Sequence, residues 1–342
     1  METIYNVPLD RLKKELVSKS YKAFNGRQVF EWLYKHKVTS FQDMTNLSKA
    51  LRAHLEATYT FDSLPLFHKQ TASDQTKKYL FKLHDEHVIE TVLMHHDYGD
   101  SLCVTSQVGC NIGCSFCASG LQKRIRNLTA GEMVMQLNEV ETLEGLRISH
   151  VVIMGTGEPF DNYDNVMDFV DIINSPYGLE IGARHITIST SGIIPKIDAF
   201  ANETKQVNLA LSLHAPNDEI RTKLMKINET YPMKPLLKSI ENYIEKTNRR
   251  VTIEYILLNH VNDDISHANE LSDKLRGLNV YVNLIRYNPV SEFHYQPSDP
   301  TRADAFHAQL LKRGINATLR KEMGSDIDAA CGQLRTKMKE SA

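Results

Sequence analysis

The amino-acid sequence predicts an α/β protein in which a small helical region precedes a parallel sheet or partial barrel. After Cys103, short β-rich runs alternate with helical patterns, which is typical of a parallel sheet covered by helices. A chain of 342 residues that is 42% hydrophobic can bury one large core together with a small accessory domain. Because six strand-and-helix units can be counted, we expect a partial (β/α)6 barrel.

The N-terminal region, residues 1–62, should form the small helical domain. Apolar residues recur at helical spacing from Leu9 to Leu16, in Val29–Tyr34 and from Leu47 to Leu55. This spacing gives each helix one apolar face, so the three helices can pack together.

Residues 63–95 differ from this helical region because their apolar residues occur in short β-rich runs. These runs are Lys78–Phe81 and Val88–Met94, and Asp, Gly and His bound them. We expect a connecting sheet here. The core then spans 96–326 and leaves 327–342 as a C-terminal segment.

The core should place its ligands at one edge of the sheet. Parallel strands share an edge at their carboxyl ends, and ligands bind there. The predicted strands are Leu102–Thr105, His150–Met154, His185–Ser189, Val207–Leu213, Val251–Leu257 and Val280–Ile285. Helices are predicted at Asn165–Ile173, Pro235–Lys246 and Ile265–Leu275, and a further helix and strand within 302–320.

The overall charge identifies no partner. The formal net charge is -2, so any nucleic-acid surface would need locally concentrated positive charge. Four clusters could supply it, although solvated surface is the common role of such residues. They are Lys123-Arg124-Ile125-Arg126, Arg249-Arg250, Lys312-Arg313 and Arg320-Lys321.

We expect a cytoplasmic protein with no membrane association. The N-terminus has no apolar signal core, and no apolar run approaches the roughly 20 residues that cross a bilayer. In a reducing cytosol, permanent disulfides are disfavoured, so the five cysteines point to metal binding or catalysis.

Four cysteines lie close together and form the strongest signal in the sequence: Cys103, Cys110, Cys114 and Cys117. A structural zinc site or a ferredoxin-type cluster would use four ligands, whereas the last three of these cysteines form one close loop. Glycines at 109 and 113 let the backbone wrap around a bulky inorganic group. Three thiolates leave one iron of a cluster open to a ligand. The alternatives are a zinc loop or buried structural thiols.

Polar residues follow other predicted strands and converge on the same rim. Met154–Pro159 contains Gly157, which permits close backbone approach, and Glu158, whose carboxylate suits an ammonium group. Alone, this motif is weak, since most such glycines only turn the chain. The other candidates are Ser189, Ser212, Leu213, His214 and Asn288, although a lone histidine is more often a core residue.

The spacing of Cys110, Cys114 and Cys117, with Phe116 before the last, resembles the cluster motif of the radical S-adenosylmethionine (SAM) superfamily. This resemblance implies a radical SAM barrel over 96–326 and a 4Fe-4S cluster on these three cysteines. It also implies that one electron from the cluster cleaves SAM to a 5′-deoxyadenosyl radical.

Further motifs make the chain similar to the RlmN-type dual-specificity RNA methyltransferases over nearly its whole length. That family methylates carbon 2 of an adenosine in 23S rRNA, in the peptidyl-transferase region, and in tRNA, next to the anticodon. The motifs are Phe30–Tyr34, Ile89–Val92, Arg126–Thr129, Ser189–Gly192, Ser212–Asp218 and, most specific, Asp326–Leu334.

The resemblance implies a role for both remaining cysteines. Cys331 would accept a methyl group from one SAM, and a second SAM, cleaved at the cluster, would generate a radical on that methyl. After the methylene adds to adenine, Cys103 would form a transient disulfide with Cys331 and release the product. Glu90 matches the family's proton acceptor. The family's SAM contacts match Gly157, Glu158, Ser189, Ser212, Leu213, His214 and Asn288.

The resemblance also implies partners. We expect 23S rRNA and tRNA, an electron donor such as flavodoxin or ferredoxin, and a monomer. The target base must leave its stack to reach Cys331, so basic loops and the N-terminal domain should grip unpaired RNA. That domain could equally be a structural cap.

Three alternatives stay open at this point. Arg286-Tyr287 departs from the family's pattern and resembles the related Cfr enzymes, which methylate carbon 8 of the ribosomal adenine. The spacing of Glu90 and Cys103 favours carbon 2. A non-catalytic iron–sulfur RNA-binding module would have no use for Cys103 and Cys331. A radical SAM enzyme acting on a peptide would more often carry cysteines for further clusters.

Overall fold

The computed structural model describes residues 1–334 and begins with a small helical domain, as predicted. It consists of α1 (Leu9–Ser18), α2 (Ala23–Tyr34) and α3 (Lys49–Thr58). A two-residue parallel pair, β1 (Glu2–Thr3) with β2 (Tyr59–Thr60), joins its ends. Each helix buries one apolar face, for example Leu9, Leu12 and Leu16 of α1.

The remainder of the chain is built on one sheet of ten strands. Its first three strands are antiparallel: β3 (Leu66–Thr71), β4 (Lys77–Lys82) and β5 (Val88–His96). Seven mutually parallel strands follow, and β6, the first of them, pairs antiparallel with β5. They are β6 (Gly99–Cys103), β9 (His150–Ile153), β10 (Ile186–Thr190), β11 (Asn208–Ser212), β12 (Val251–Leu257), β13 (Val280–Arg286) and β14 (Ala317–Leu319). Two short strands, β7 (Gln107–Val108) and β8 (Arg126–Asn127), form a separate pair.

The predicted barrel is confirmed: each of its six strands is present within three residues of the predicted bounds, and β14 adds a seventh. The segment predicted as a connecting sheet is instead continuous with the core, because β5 hydrogen-bonds directly to β6. The domain boundaries at residues 62, 95 and 326 stay predictions.

Helices cover the sheet and carry the chain from each strand to the next. The predicted helices correspond to α5 (Tyr163–Asn174), α8 (Met233–Thr247) and α9 (Ile265–Leu275). The others are α4 (Ala130–Glu144), α6 (Ile194–Phe200), α7 (Asp218–Leu224) and α10 (Pro300–Lys312). No helix within residues 1–334 is both long and apolar enough to cross a membrane.

Helix α4 joins the N-terminal domain to the sheet. It is buried almost all round, so it lacks the one-sided apolar pattern that identifies a surface helix. A capping box between Thr129 and Glu132 fixes its start. Next to this cap, Gly131 donates its backbone N–H to Asn6 Oδ1 at 2.7 Å. A side chain at Gly131 would overlap this contact, so the close approach of the domain requires glycine.

The buried side chain of Gln136 should be important for stability. Its Oε1 accepts bonds from Thr91 Oγ1 (2.7 Å) and Thr105 N (3.0 Å), and its Nε2 donates to Thr105 O (3.0 Å). Gln136→Leu would leave these groups without partners, at a cost of about 2–4 kcal/mol in the free energy of unfolding. Urea denaturation measures this change. The exposed Gln296→Leu serves as a control, and equal stabilities of the two variants would contradict the assignment.

Candidate active site

The cysteine loop leaves β7 at the carboxyl edge of the sheet and returns through β8. Gly109 (φ +76°) and Gly113 (φ +64°) have left-handed backbones, and a side chain at Gly109 would overlap the carbonyl of Lys123. The tight loop brings Cys110, Cys114 and Cys117 to one cavity. We call this the cluster cavity; its other lining residues include Gly157, Glu158, Ser189, Ser212, His214 and Cys331.

The donor set fits a 4Fe-4S cluster better than a single ion. Within residues 1–334, no group of three or more His, Cys, Asp and Glu side chains could hold one metal ion. A cluster takes one thiolate per iron, so its ligands stand further apart than those of one ion. The three thiols are half-buried and line one cavity, on a loop whose glycines leave room for a bulky group. This geometry disfavours a zinc loop.

Glu158 is a buried carboxylate held in a fixed orientation. Its Oε1 accepts bonds from Phe160 N (3.0 Å) and Thr190 Oγ1 (2.8 Å), and Oε2 accepts one from Ser191 N (2.7 Å). Burial raises the pKa of this carboxyl, although the hydrogen bonds oppose that shift. A cationic ligand in the cluster cavity would therefore be attracted to a rigid acceptor.

Two serines and a histidine also line the cluster cavity. The Oγ atoms of Ser189 and Ser212 lie 3.3 Å apart at the ends of β10 and β11. His214 has a left-handed backbone (φ +58°), and its Nδ1 accepts a bond from Ile256 N at 3.1 Å. Burial, together with the charge of Arg221, lowers the pKa of His214 to about 3. The ring is therefore neutral, with Nε2 carrying its proton.

The two other predicted SAM contacts lie elsewhere. The side chain of Leu213 is fully buried in the main hydrophobic core and is not part of the cavity wall. Asn288 lines a second cavity, where its Nδ2 donates to the carbonyl of Cys331 at 3.4 Å.

This second cavity, which we call the thiol cavity, contains both cysteines that lie outside the cluster loop. Cys331 lines the cluster cavity and the thiol cavity, whereas Cys103 lines only the latter. Arg320 lines the thiol cavity too, and its Nη1 lies 3.7 Å from Cys331 Sγ. Burial and the neighbouring Cys331 raise the pKa of Cys103 to about 12, which the charge of Arg320 partly offsets. All five cysteines have free thiols, so this structure contains no disulfide between Cys103 and Cys331.

Backbone contacts fix Cys331 between the two cavities. Gly332 O accepts a bond from Ala118 N (2.7 Å), and Leu334 O accepts one from Ser119 Oγ (2.9 Å). The C-terminal segment is thus docked on the residues that directly follow Cys117.

The turn between β3 and β4 holds the other end of this segment. Ser73 N donates to Asp326 Oδ2 (2.9 Å), and Gly324 N donates to Asp74 Oδ2 (3.0 Å). On β4, Lys78 Nζ donates to Asp328 O at 3.2 Å. We call these three contacts the hairpin clasp.

Glu90 lies in a small separate cavity and not with Cys331. It forms a buried ion pair with Lys78 (3.3 Å), and its backbone carbonyl accepts a bond from Thr105 Oγ1 (2.5 Å). Ser119 lines this small cavity, the cluster cavity and the thiol cavity. Glu90 is therefore linked to the Cys331 region through Lys78 and Ser119 and does not contact it directly.

Sequence reasoning missed the roles of several charged residues. Arg221 is fully buried, donates to Ser191 O at 2.6 Å, and lies near enough to Cys114 for their charges to interact. Arg320 was treated only as part of a basic cluster, yet it contacts Cys331. Conversely, Arg126 is bound to Asp85 and Glu132, so this part of its cluster stabilises the fold. An arginine next to a cysteine-bearing segment is a signal that could have identified Arg320.

Comparisons with known proteins agree with this geometry. Residues 104–271 match the Radical SAM superfamily model, and residues 3–60 match the "Ribosomal RNA large subunit methyltransferase N-terminal domain". A crystal structure of a radical SAM methyltransferase from Sphaerobacter thermophilus superposes with a TM-score of 0.90 at 42% identity, covering 98% of this chain and 99% of that one. The fold and site therefore define a radical SAM enzyme, a class that uses a 4Fe-4S cluster and SAM.

Curated relatives narrow the class. Proteins named "Probable dual-specificity RNA methyltransferase RlmN" from Geobacillus kaustophilus and Acholeplasma laidlawii are 53% and 54% identical to this chain. The alignments cover 98% and 97% of this chain, and 93% and 98% of those proteins. The chain belongs to the RlmN family of dual-specificity RNA methyltransferases.

The neutral, buried His214 predicts a pH-dependent stability. Between its folded pKa of about 3 and its ordinary value of 6.5, the unfolded chain binds a proton that the folded chain does not. The free energy of unfolding should therefore fall as the pH drops through this range. We expect the urea midpoint to decrease from pH 7 to pH 5, and to decrease less in His214→Asn. An unchanged pH slope in His214→Asn would refute this, and the exposed His294→Asn is the control.

Proposed function

We propose that this enzyme methylates carbon 2 of an adenosine in 23S rRNA and in tRNA, through an S-methylcysteine intermediate on Cys331. One observation carries the proposal: Cys331 lines both the cavity of the three cluster thiols and the cavity of Cys103. A sulfur at this junction can receive a carbon from one side and deliver it to a base on the other. The family membership supports RNA as the substrate class.

Cys110, Cys114 and Cys117 would hold the cluster, and Gly157, Glu158, Ser189, Ser212 and His214 would hold SAM. When bound, the cluster and SAM supply a one-electron cleavage that yields a carbon radical. Glu158 would attract the ammonium group of SAM, and the polar wall at 189, 212 and 214 would orient its remaining polar groups. Leu213 could contribute only backbone atoms, and Asn288 would contact SAM only from the thiol cavity. Two SAM molecules would be used in each turnover.

Cys331 and Cys103 would carry out the transfer of carbon to the base and the release of the product. Cys331 would carry the methyl carbon and join it covalently to the base. Cys103, as a thiolate, would then attack Cys331 Sγ, so that an S–S bond forms as the bond between sulfur and the methylene carbon breaks. The electron pair of the broken bond passes to the methylene carbon, which takes up a proton and becomes the methyl group of the base. A cellular dithiol reductant would reduce the disulfide before the next turnover. Arg320 favours this step because its cationic group stabilises a thiolate in a buried cavity.

Glu90 would accept the proton that carbon 2 loses. In this structure the carboxylate is paired with Lys78, and Lys78 also binds the segment that bears Cys331. Movement of this segment when RNA binds would therefore alter the partner of Glu90.

The carbon 8 alternative rested on Arg286 and Tyr287, and their surroundings weaken it. Arg286 Nε donates to Ser298 O (3.0 Å), and its Nη1 pairs with Glu322 (3.1 Å). Tyr287 is buried, and its hydroxyl accepts a bond from Val290 N at 3.2 Å. Neither residue is among those that line the thiol cavity, which supports carbon 2 over carbon 8.

Replacing either catalytic thiol tests the proposal. Cys331→Ala should abolish methylation because the carbon carrier is gone, whereas Cys103→Ala should accumulate protein joined to RNA because the adduct cannot be resolved. Anaerobic reactions with rRNA and tRNA fragments, followed by nucleoside mass spectrometry, would separate 2-methyladenosine, 8-methyladenosine and no product. Iron and sulfide content is the control for folding. Full methylation by Cys331→Ala would disprove the mechanism.

The assignment of Glu90 has its own test. Glu90→Gln should slow product formation roughly 10²- to 10⁴-fold, as expected for loss of a general base. The matched control is Glu86→Gln, an exposed carboxylate just before the same strand. Rates come from single-turnover reactions with purified RNA. If the two variants retain equal rates, Glu90 is only a partner of Lys78.

A further inference from the structure

Four aromatic side chains form a continuous row at the edge of the sheet opposite the cluster loop. The rings of His96 and Tyr98 stack with centroids 4.7 Å apart, and Tyr98 meets His150 edge-on at 4.9 Å. His150 in turn stacks on His185 at 4.2 Å. We call these four residues the ring row. It lies at the amino-terminal ends of β6, β9 and β10 and at the carboxyl end of β5.

The ring row continues the wall of the thiol cavity. Val92 and Met94 of β5 line that cavity, and alternate residues of a strand share a face, so His96 lies on the same face. The same alternation places His150 below Val152 on β9. Two residues of strand span roughly 7 Å, so the row begins just beyond the cavity wall.

The electrostatics of the row suit stacking. Burial lowers the pKa of His96, and the positive charge of Arg320 lowers it further. Burial also lowers the pKa of His150, and the neighbouring His185 contributes to that shift. These two rings are therefore neutral at pH 7 and can stack on a base without attracting phosphate. Arg320 contacts Cys331, and its charge also acts on His96, so Arg320 lies near both the thiol cavity and the ring row.

The row is accessible, and a positive charge lies at the same edge of the sheet. Tyr98 is 65% exposed, unlike most tyrosines of this chain. At the amino-terminal ends of β12 and β13, Arg250 lies over the ring of Tyr281 at 4.9 Å. Tyr281 shares a face with Ile285, which lines both cavities, so this cation borders the same side of the sheet. The amino-terminal edge of the sheet therefore carries both rings that can stack on a base and a cation that can bind phosphate.

We propose that the ring row is a stacking platform for an unpaired nucleotide next to the base that enters the thiol cavity. This inference rests on the proposed function, because it assumes an RNA substrate. Aromatic rings bind unpaired bases of any sequence through their π faces, which suits an enzyme that accepts two RNAs. The three histidines of the ring row do not form a group that could hold a single metal ion, as judged over residues 1–334.

Substitution of Tyr98 provides the test. With the cluster-loaded enzyme and a stem-loop RNA bearing an unpaired adenosine, Tyr98→Ala should raise the Kd roughly 5- to 100-fold, the effect of one lost base–aromatic stack. Tyr98→Trp should bind within about threefold of the wild type, since it retains a stacking surface. The control is Phe67→Ala, which removes a 58% exposed ring on edge strand β3. Equal affinities of Tyr98→Ala and Phe67→Ala would overturn the proposal.

The salt dependence separates stacking from phosphate binding. Tyr98→Ala should leave the slope of log Kd against log salt unchanged, whereas Arg250→Gln should reduce it by about 1. A reduced slope in Tyr98→Ala would show a phosphate contact and contradict stacking.

A fluorescent base locates the stacked nucleotide. 2-Aminopurine placed beside the target adenosine should be quenched by the wild type and by Tyr98→Trp, but not by Tyr98→Ala. Methylation by the wild type, read by mass spectrometry, reports separately on the proposed function. If the wild type methylates RNA and Tyr98→Ala binds and quenches normally, only the stacking platform is refuted. If the wild type neither binds nor methylates RNA, both proposals fail.

Discussion

The docking of the C-terminal segment on the cysteine loop is the interaction on which the site depends. Ala118 and Ser119, directly after Cys117, hold the carbonyls of Gly332 and Leu334. These two bonds tie the segment that bears Cys331 directly to the loop of the cluster thiols, and Asn288 adds a bond to the carbonyl of Cys331 itself. The barrel supplies the rest of the framework, since its parallel strands deliver every other polar group to the same edge.

Charged groups in this interior are arranged so that each has a specific counterpart. Arg221 is fully buried and is held by carbonyl and amide oxygens, whereas Arg320 lies between thiols and the buried carboxylate of Glu254. Burying a cation is costly unless neighbouring anions offset its charge, and Asp218 does so in part for Arg221. The anionic thiolates of a loaded cluster would provide that balance for Arg221, whose charge interacts with Cys114. The positive charges of Arg221 and Arg320 therefore suit an anionic group in this site.

Most of the fold and part of the site could be predicted from the sequence, and the differences have physical causes. The alternation of strands and helices is a local pattern, so the strands of the barrel were found with small errors at their ends. Cys110, Cys114 and Cys117 share one loop, and their proximity follows from spacing alone. The surroundings of Asn288 and Leu213 could not be predicted, because strand periodicity does not say which cavity a residue after a strand will line. Lys78 acts through a partner 250 residues away, which no local pattern reveals. The continuity of β5 with β6 arises from a hairpin across Asp97 and Tyr98, a turn that the sequence analysis did not use.

The hairpin clasp gives the enzyme an unusual folding topology. Its contacts join residues that are 250 and 253 positions apart, so they close a loop of sequence that contains the parallel strands of the barrel. Such long-range closure carries a loop-entropy cost and raises the contact order, which slows the corresponding folding step. The thiol of Cys331 would therefore reach its position between the two cavities only after the strands that lie between the two ends of the clasp have assembled.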